Sequence, residues 1–176
     1  MSKPVRLVLA AIVATGLLIA AYPWLAAAWY AARLARMPVP AALPMPVAGL
    51  SRKSLTDTWQ AARPPKRHHQ GIDIFGNKGT PIVAATEGVV IKVGQDRLGG
   101  NVVMVYGPAG YQHYYAHLDQ FADLHVGDRV QAGTVLGTLG NTGNARTTPP
   151  HLHYGVYAAQ GAINPYPLLA AMAPAP

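Results

Sequence analysis

The chain has 176 residues, enough for one domain with a real core, and no cysteine, so disulfides and thiolate metal ligands are excluded and any metal must be held by His, Asp or Glu. Its formal net charge of +7 is unevenly spread: residues 1–67 carry nine Lys/Arg against one acid, Asp57, while residues 68–176 carry five against six. A nucleic-acid-binding domain would bear its basic stripe on the fold itself, so this distribution argues against nucleic acid and suits a tether beside an anionic surface.

In chain order, the first element follows Lys3 and Arg6. Residues 7–32 contain no charge, a run of 26 residues. That is long enough to cross a hydrocarbon core of roughly 30 Å, whereas a cleaved signal has an apolar region of about 7–15 residues. The expectation is a membrane anchor over residues 1–34. Pro23 and the small residues of "LAAAW" leave a cleaved signal as the alternative. Residues 35–56 follow as a proline-rich spacer, with "MPVPAALPMPVAGL" reading as extended chain. "SLTDTWQAA" reads as a short helix or turn. From residue 57 to 170 the expectation is a single folded domain, and 171–176 a disordered tail. Within that domain, "GIDIF", "GVVIKVG", "NVVMVYG", "YQHYYAHL" and "HLHYGVY" alternate with glycine turns. About seven short strands predict an all-β, compact antiparallel sandwich or barrel.

The histidines are arranged along these strands. Residues two apart on a strand share a face, so His151 and His153 point together while Leu152 and Tyr154 turn to the core. His69, Gly71 and Asp73 share parity in the same way, with Gly71 leaving space between the two polar side chains. The same rule aligns His113, Tyr115 and His117. A single H-x-H is a weak metal signal. Combined with an H-x-x-x-D and a further histidine in a cysteine-free chain, it points to a metal site of imidazole and carboxylate. His68 and His125 read as ordinary surface residues.

"HHQGIDIFGNKGTPIVAATEGVV", "YYAHL", "VGDRVQAGTVLGTLGNTGNA" and "PPHLHYGVY" resemble the lysostaphin/LytM-type zinc metallopeptidases that cut peptidoglycan cross-bridges. The resemblance covers about residues 57–168. It implies a small β-fold of the LytM (duplicated hybrid motif) type with one zinc in a groove. It makes His69, Asp73 and His153 the zinc ligands and His117 and His151 the non-ligand catalytic histidines. His151 is then the expected general base, with His117 orienting water or stabilising an oxyanion, and the two roles interchangeable. His113, Tyr115, Asn141, Asn144 and Arg146 are candidate substrate-binding residues, although simple turn chemistry accounts equally well for the two asparagines. No zinc-blocking residue stands out before the first motif, which leaves residues 37–67 as a segment able to cover the groove.

The implied substrate is the peptide of peptidoglycan, with direct cross-links favoured over Gly–Gly bridges. The catalytic domain would then lie on the periplasmic side of an inner membrane crossed once by residues 7–32, or be secreted after signal cleavage. The other readings are a non-catalytic wall-bound scaffold that activates a partner hydrolase, and a biotinyl- or lipoyl-type carrier. The complete ligand set argues against the scaffold. The absence of a lysine at the tip of "VGDRVQAGTVLGTLG" argues against the carrier. The sequence leaves the oligomeric state open.

Overall fold

The computed structural model describes residues 2–63 and 66–171. It opens with helix α1 (Lys3–Arg36), which runs unbroken through Pro23. Its apolar side chains, among them Leu17, Leu18, Trp24 and Trp29, are exposed along most of its length. Length and composition would let it cross a membrane. The last turns differ, because there the helix docks on the rest of the chain. Tyr30 and Leu34 are buried. Glu87 accepts hydrogen bonds from Tyr30 Oη at 3.3 Å and Arg33 Nη1 at 2.9 Å. The Arg129 guanidinium lies 4.3 Å from the Tyr30 ring centroid.

The proline-rich stretch is extended, as its composition requires, but it is not a free spacer. Leu43 and Val47 are buried in the same core as the strands. Leu43 N–H donates to Leu168 O and Val83 N–H to Pro46 O, both at 2.8 Å. Prolines fix the backbone without supplying N–H groups, so the few remaining amides and the apolar side chains between them attach the segment to the fold. The working domain therefore begins before residue 57. "SLTDTWQAA" contains the expected turn: after a 3₁₀ turn over Arg52–Ser54, Ala61 N–H donates to Thr58 O at 3.2 Å across Trp59 and Gln60.

Among the described residues eleven strands follow: β1 (Ala62–Arg63), β2 (Arg67–His68), β3 (Ile72–Phe75), β4 (Pro81–Val83), β5 (Gly88–Asp96), β6 (Gly100–Tyr106), β7 (Gln112–Phe121), β8 (Arg129–Val130), β9 (Val135–Leu139), β10 (His151–Ala158) and β11 (Gly161–Ile163). A short helix α2 (Tyr166–Ala170) closes the described chain, and the tail residues 172–176 lie outside the described residues. Strands β1 and β2 form a small hairpin of their own. The other nine form one antiparallel network in the order β11-β10-β7-β6-β5-β8, with β3 added to β10, and β9 joining β7 to β4. The fold is thus mostly β, as expected, but among the described residues the network does not close into a barrel. Ile72, Ile74, Val103, Val105, Tyr115, Leu118, Leu152 and Tyr154 belong to one buried cluster, which makes the sheet a rigid platform for its other face.

Candidate metal centre

Strand β10 is the axis of the site. It pairs on one side with β3, setting His153 opposite Asp73, and on the other with β7, setting His153 opposite Ala116. Directly opposite residues of an antiparallel pair share a face. His153 and Asp73 therefore point together into a groove of about 980 Å³ that also meets Tyr114, His117, Asn144 and His151. Leu152 and Tyr154 are fully buried beneath it. The period-two reading of "HLHY" holds residue by residue.

Three atoms converge. Asp73 Oδ1 lies 3.1 Å from His69 Nε2 and 3.3 Å from His153 Nδ1, and the two nitrogens are 2.8 Å apart. His69 Nδ1 is 2.7 Å from Thr58 O, which can only accept, so the proton sits on Nδ1 and the Nε2 lone pair faces the cluster. Two imidazole nitrogens and a carboxylate oxygen at such separations form a group able to hold a cation. Ligand bonds of about 2.0–2.1 Å to a tetrahedral ion set donors roughly 3.3 Å apart, so the donor set fits zinc. Gly71 keeps the space open: a Cβ there would lie 2.6 Å from Tyr154 O and 2.8 Å from His153 Cε1. Among the described residues this trio is the group able to hold a metal ion.

Charge balance agrees with that reading. Burial pushes the Asp73 carboxyl up, but its contacts with His153, His69 and Arg63 outweigh it and hold the group well below the usual carboxylate range. Burial pushes the His153 imidazolium down, against the opposing pull of Asp73. An ionised carboxylate and a neutral imidazole are the forms in which these two groups can bind a metal.

The two remaining histidines are fixed by the same device as His69. His151 Nδ1–H donates to Pro149 O at 2.9 Å and His117 Nδ1–H to Thr142 O at 2.8 Å. His151 Nε2 thereby lies 3.9 Å from Asp73 Oδ1, and the rings of His117 and His151 are 5.0 Å apart between centroids. Pro149 and Pro150 deliver the chain to β10, and their carbonyls also serve it: Pro149 orients His151, and Pro150 O accepts from Gly76 N–H. Burial, reinforced by His151 and His153, pushes the His117 imidazolium down to about 4, so it is neutral at neutral pH.

Strand β7 corrects the expected alignment of His113, Tyr115 and His117. His113 and Tyr115 face the core. His113 Nδ1 meets Tyr154 Oη at 2.7 Å, and Tyr115 Oη accepts from Ala85 N–H at 2.8 Å. His117 reaches the groove because its backbone is left-handed, with φ 68°. The β6–β7 register confirms an extra residue: two steps from Val103 to Asn101 face three from Tyr115 to Leu118. This bulge rotates position 117 onto the face already used by Tyr114 and Ala116. The β7 tyrosine that lines the groove is therefore Tyr114, whose hydroxyl donates to Asp96 Oδ2 at 2.6 Å. Of the loop candidates, Asn144 lines the groove. Asn141 directs its amide to the carbonyls of Arg146 and Thr148 in its own loop, and Arg146 is exposed.

Thr58 and Arg63 were not legible as site residues. Thr58 holds both His69 and Asp73, accepting from His69 through its carbonyl and from Asp73 N–H through Oγ1. Arg63 Nη2 donates to Asp73 Oδ2. Both lie in the segment expected only to border or cover the groove.

Residues 67–165 match Peptidase family M23. An L-Ala–D-Glu endopeptidase of Bacillus subtilis (strain 168) is 37% identical over 142 residues, 74% of this chain and 43% of that protein. A peptidoglycan DD-endopeptidase, ShyC, of Vibrio cholerae is 43% identical over 86 residues, 49% of this chain and 19% of its own length. The chain thus spans less than half of either relative. The catalytic domain of lysostaphin from Staphylococcus simulans superposes with a TM-score of 0.57 at 30% identity, covering 66% of this chain and 90% of that structure. With the family match spanning both histidine motifs and the β7 bulge, the chain belongs to peptidase family M23.

Proposed function

We propose that the protein is a zinc-dependent endopeptidase that hydrolyses peptide cross-links of bacterial peptidoglycan, with one zinc held by His69, Asp73 and His153. The supporting observation is the convergence of three lone-pair atoms within 2.8–3.3 Å of one another beside two further imidazoles, each held with Nε2 toward the groove. Zinc bound there supplies Lewis-acid polarisation of a carbonyl and acidifies a water. The chain's own groups handle the protons. His151 Nε2 is the general base, held 3.9 Å from Asp73 Oδ1. His117 is neutral with its proton on Nδ1, so Nε2 first acts as an acceptor that orients water. It donates to an oxyanion only after taking up a proton. Asn144 and Tyr114 border the path of the substrate peptide.

The relatives named for L-Ala–D-Glu and DD-endopeptidase activity support a stem-peptide or direct cross-link substrate. An anchor over α1 with the β-domain on the periplasmic side agrees with the exposed apolar helix surface, secretion after cleavage being the alternative. The test is to purify the full chain in detergent, measure zinc by elemental analysis, and identify by mass spectrometry the fragments released from defined peptidoglycan. One zinc per chain and a newly exposed peptide amine are expected. A folded protein that takes up no zinc would overturn the proposal.

A further inference from the structure

We infer that Arg63 is a positioning residue of the metal centre: it holds Asp73 Oδ2 so that the carboxylate offers a single oxygen, Oδ1, to the ion. The inference rests on the zinc-site reading above.

The two oxygens of Asp73 have separate partners. Oδ1 faces His69 Nε2, His153 Nδ1 and, further out, His151 Nε2. Oδ2 accepts from Arg63 Nη2. A carboxylate with both oxygens free can chelate an ion through both. With one oxygen occupied by a guanidinium, chelation requires breaking a charge-assisted hydrogen bond. The coordination position thus spared is the one a hydrolytic site needs for water.

The backbone holds Arg63 at this point. Strand β1 pairs with β2, setting Arg63 opposite Arg67 and Ala62 opposite His68. Gln60 N–H donates to His69 O, and His69 N–H to Ala61 O, both at 3.0 Å. The hairpin that carries Arg63 is therefore hydrogen-bonded to the backbone of a ligand. Arg63 Nε is buried and without a hydrogen-bond partner. Burying an unsatisfied donor is unfavourable, so packing alone does not explain the placement, and the Asp73 bond supplies a reason for it. Arg63 takes Oδ2 and leaves the convergence of the three donor atoms at Oδ1 intact. Residues 57–63 thus form an outer shell of the metal centre, with Thr58 orienting His69 and Asp73 and Arg63 dividing the carboxylate.

The test uses the full chain in detergent, stripped of metal and loaded with Co²⁺, for wild type, Arg63→Met and Arg63→Lys. Affinity is read by chelator competition and coordination by the visible Co²⁺ absorption, which is strong for four-coordinate and weaker for five-coordinate sites. Arg63→Met is expected to weaken binding by about 10- to 100-fold, the usual scale for outer-shell partners. It should also shift the spectrum toward five-coordination, and Arg63→Lys should recover part of both. Thermal unfolding of the metal-free variants checks that the fold persists. Wild-type affinity and spectrum in Arg63→Met would overturn the role of Arg63 while leaving the metal site standing. Absence of Co²⁺ binding in wild type would overturn the metal-site reading and this inference with it.

Discussion

Strands β10 and β7 lie side by side, and each brings histidine to the same groove by a different route. β10 alternates strictly: His151 and His153 face the groove while Leu152 and Tyr154 face the core. β7 alternates as far as Ala116, then inserts one residue in a left-handed conformation, and His117 turns onto a face that alternation would deny it. A site placed by an unbroken ladder inherits the rigidity of the sheet. A site placed by a bulge depends on local conformation, which L-residues adopt only where the surroundings enforce it. Here Gly99 O, accepting from His117 N–H, and Thr142 O, accepting from its ring, do the enforcing.

The largest expected effect on this comparison is catalytic. His117→Ala should retain zinc at near-wild-type stoichiometry and lose roughly 10²-fold or more in cross-link cleavage, the scale of a group that handles a proton. Loss of zinc in this variant would mean that the bulge serves the metal instead.

Next in size is a pH effect on stability. His113 is buried on the core side of β7, and burial pushes its imidazolium down to about 4, as it does for His117 on the groove side. The unfolded chain takes up these protons near 6.5, so between that value and 4 it binds more protons than the native state. Stability of the metal-free protein should therefore fall as pH drops through this window. His113 alone accounts for roughly 2–3 kcal/mol at pH 4.5. Urea unfolding at pH 7 and pH 4.5 checks this, and His113→Gln should flatten part of the slope. Equal midpoints at both pH values would contradict the buried, neutral assignment.

The smallest effect isolates the bulge. Glycine tolerates a left-handed backbone and alanine does not, so His117→Gly should be more stable than His117→Ala by about 1 kcal/mol. The reverse order, normal for strand interiors, would show that residue 117 is not held at positive φ.

The same contrast separates what was legible in the sequence from what was not. Alternation in "HLHY" places His151 and His153 on one face because period two is a property of a strand backbone, whereas the choice of His69, Asp73 and His153 as ligands came from the family resemblance, His69 itself lying between β2 and β3. His113 and Tyr115 were misplaced because the bulge between Tyr115 and Leu118 carries no glycine to mark it. The proline-rich stretch read as a spacer because its composition reports extended chain and is silent about what Leu43 and Val47 touch. Thr58 and Arg63 act through contacts made by folding residues 57–63 back onto the ligand strand, which no local period encodes. An arginine ten residues before an aspartate looks like any other surface charge.

The central claim is a division of labour on one strand face, with His153 binding metal and His151 moving protons. It is tested most directly by elemental analysis of zinc in purified His151→Ala and His153→Ala full-length protein, loaded and desalted together. The account predicts about one zinc per chain for His151→Ala and none for His153→Ala. Equal zinc loss in the two variants would make His151 a ligand and contradict it.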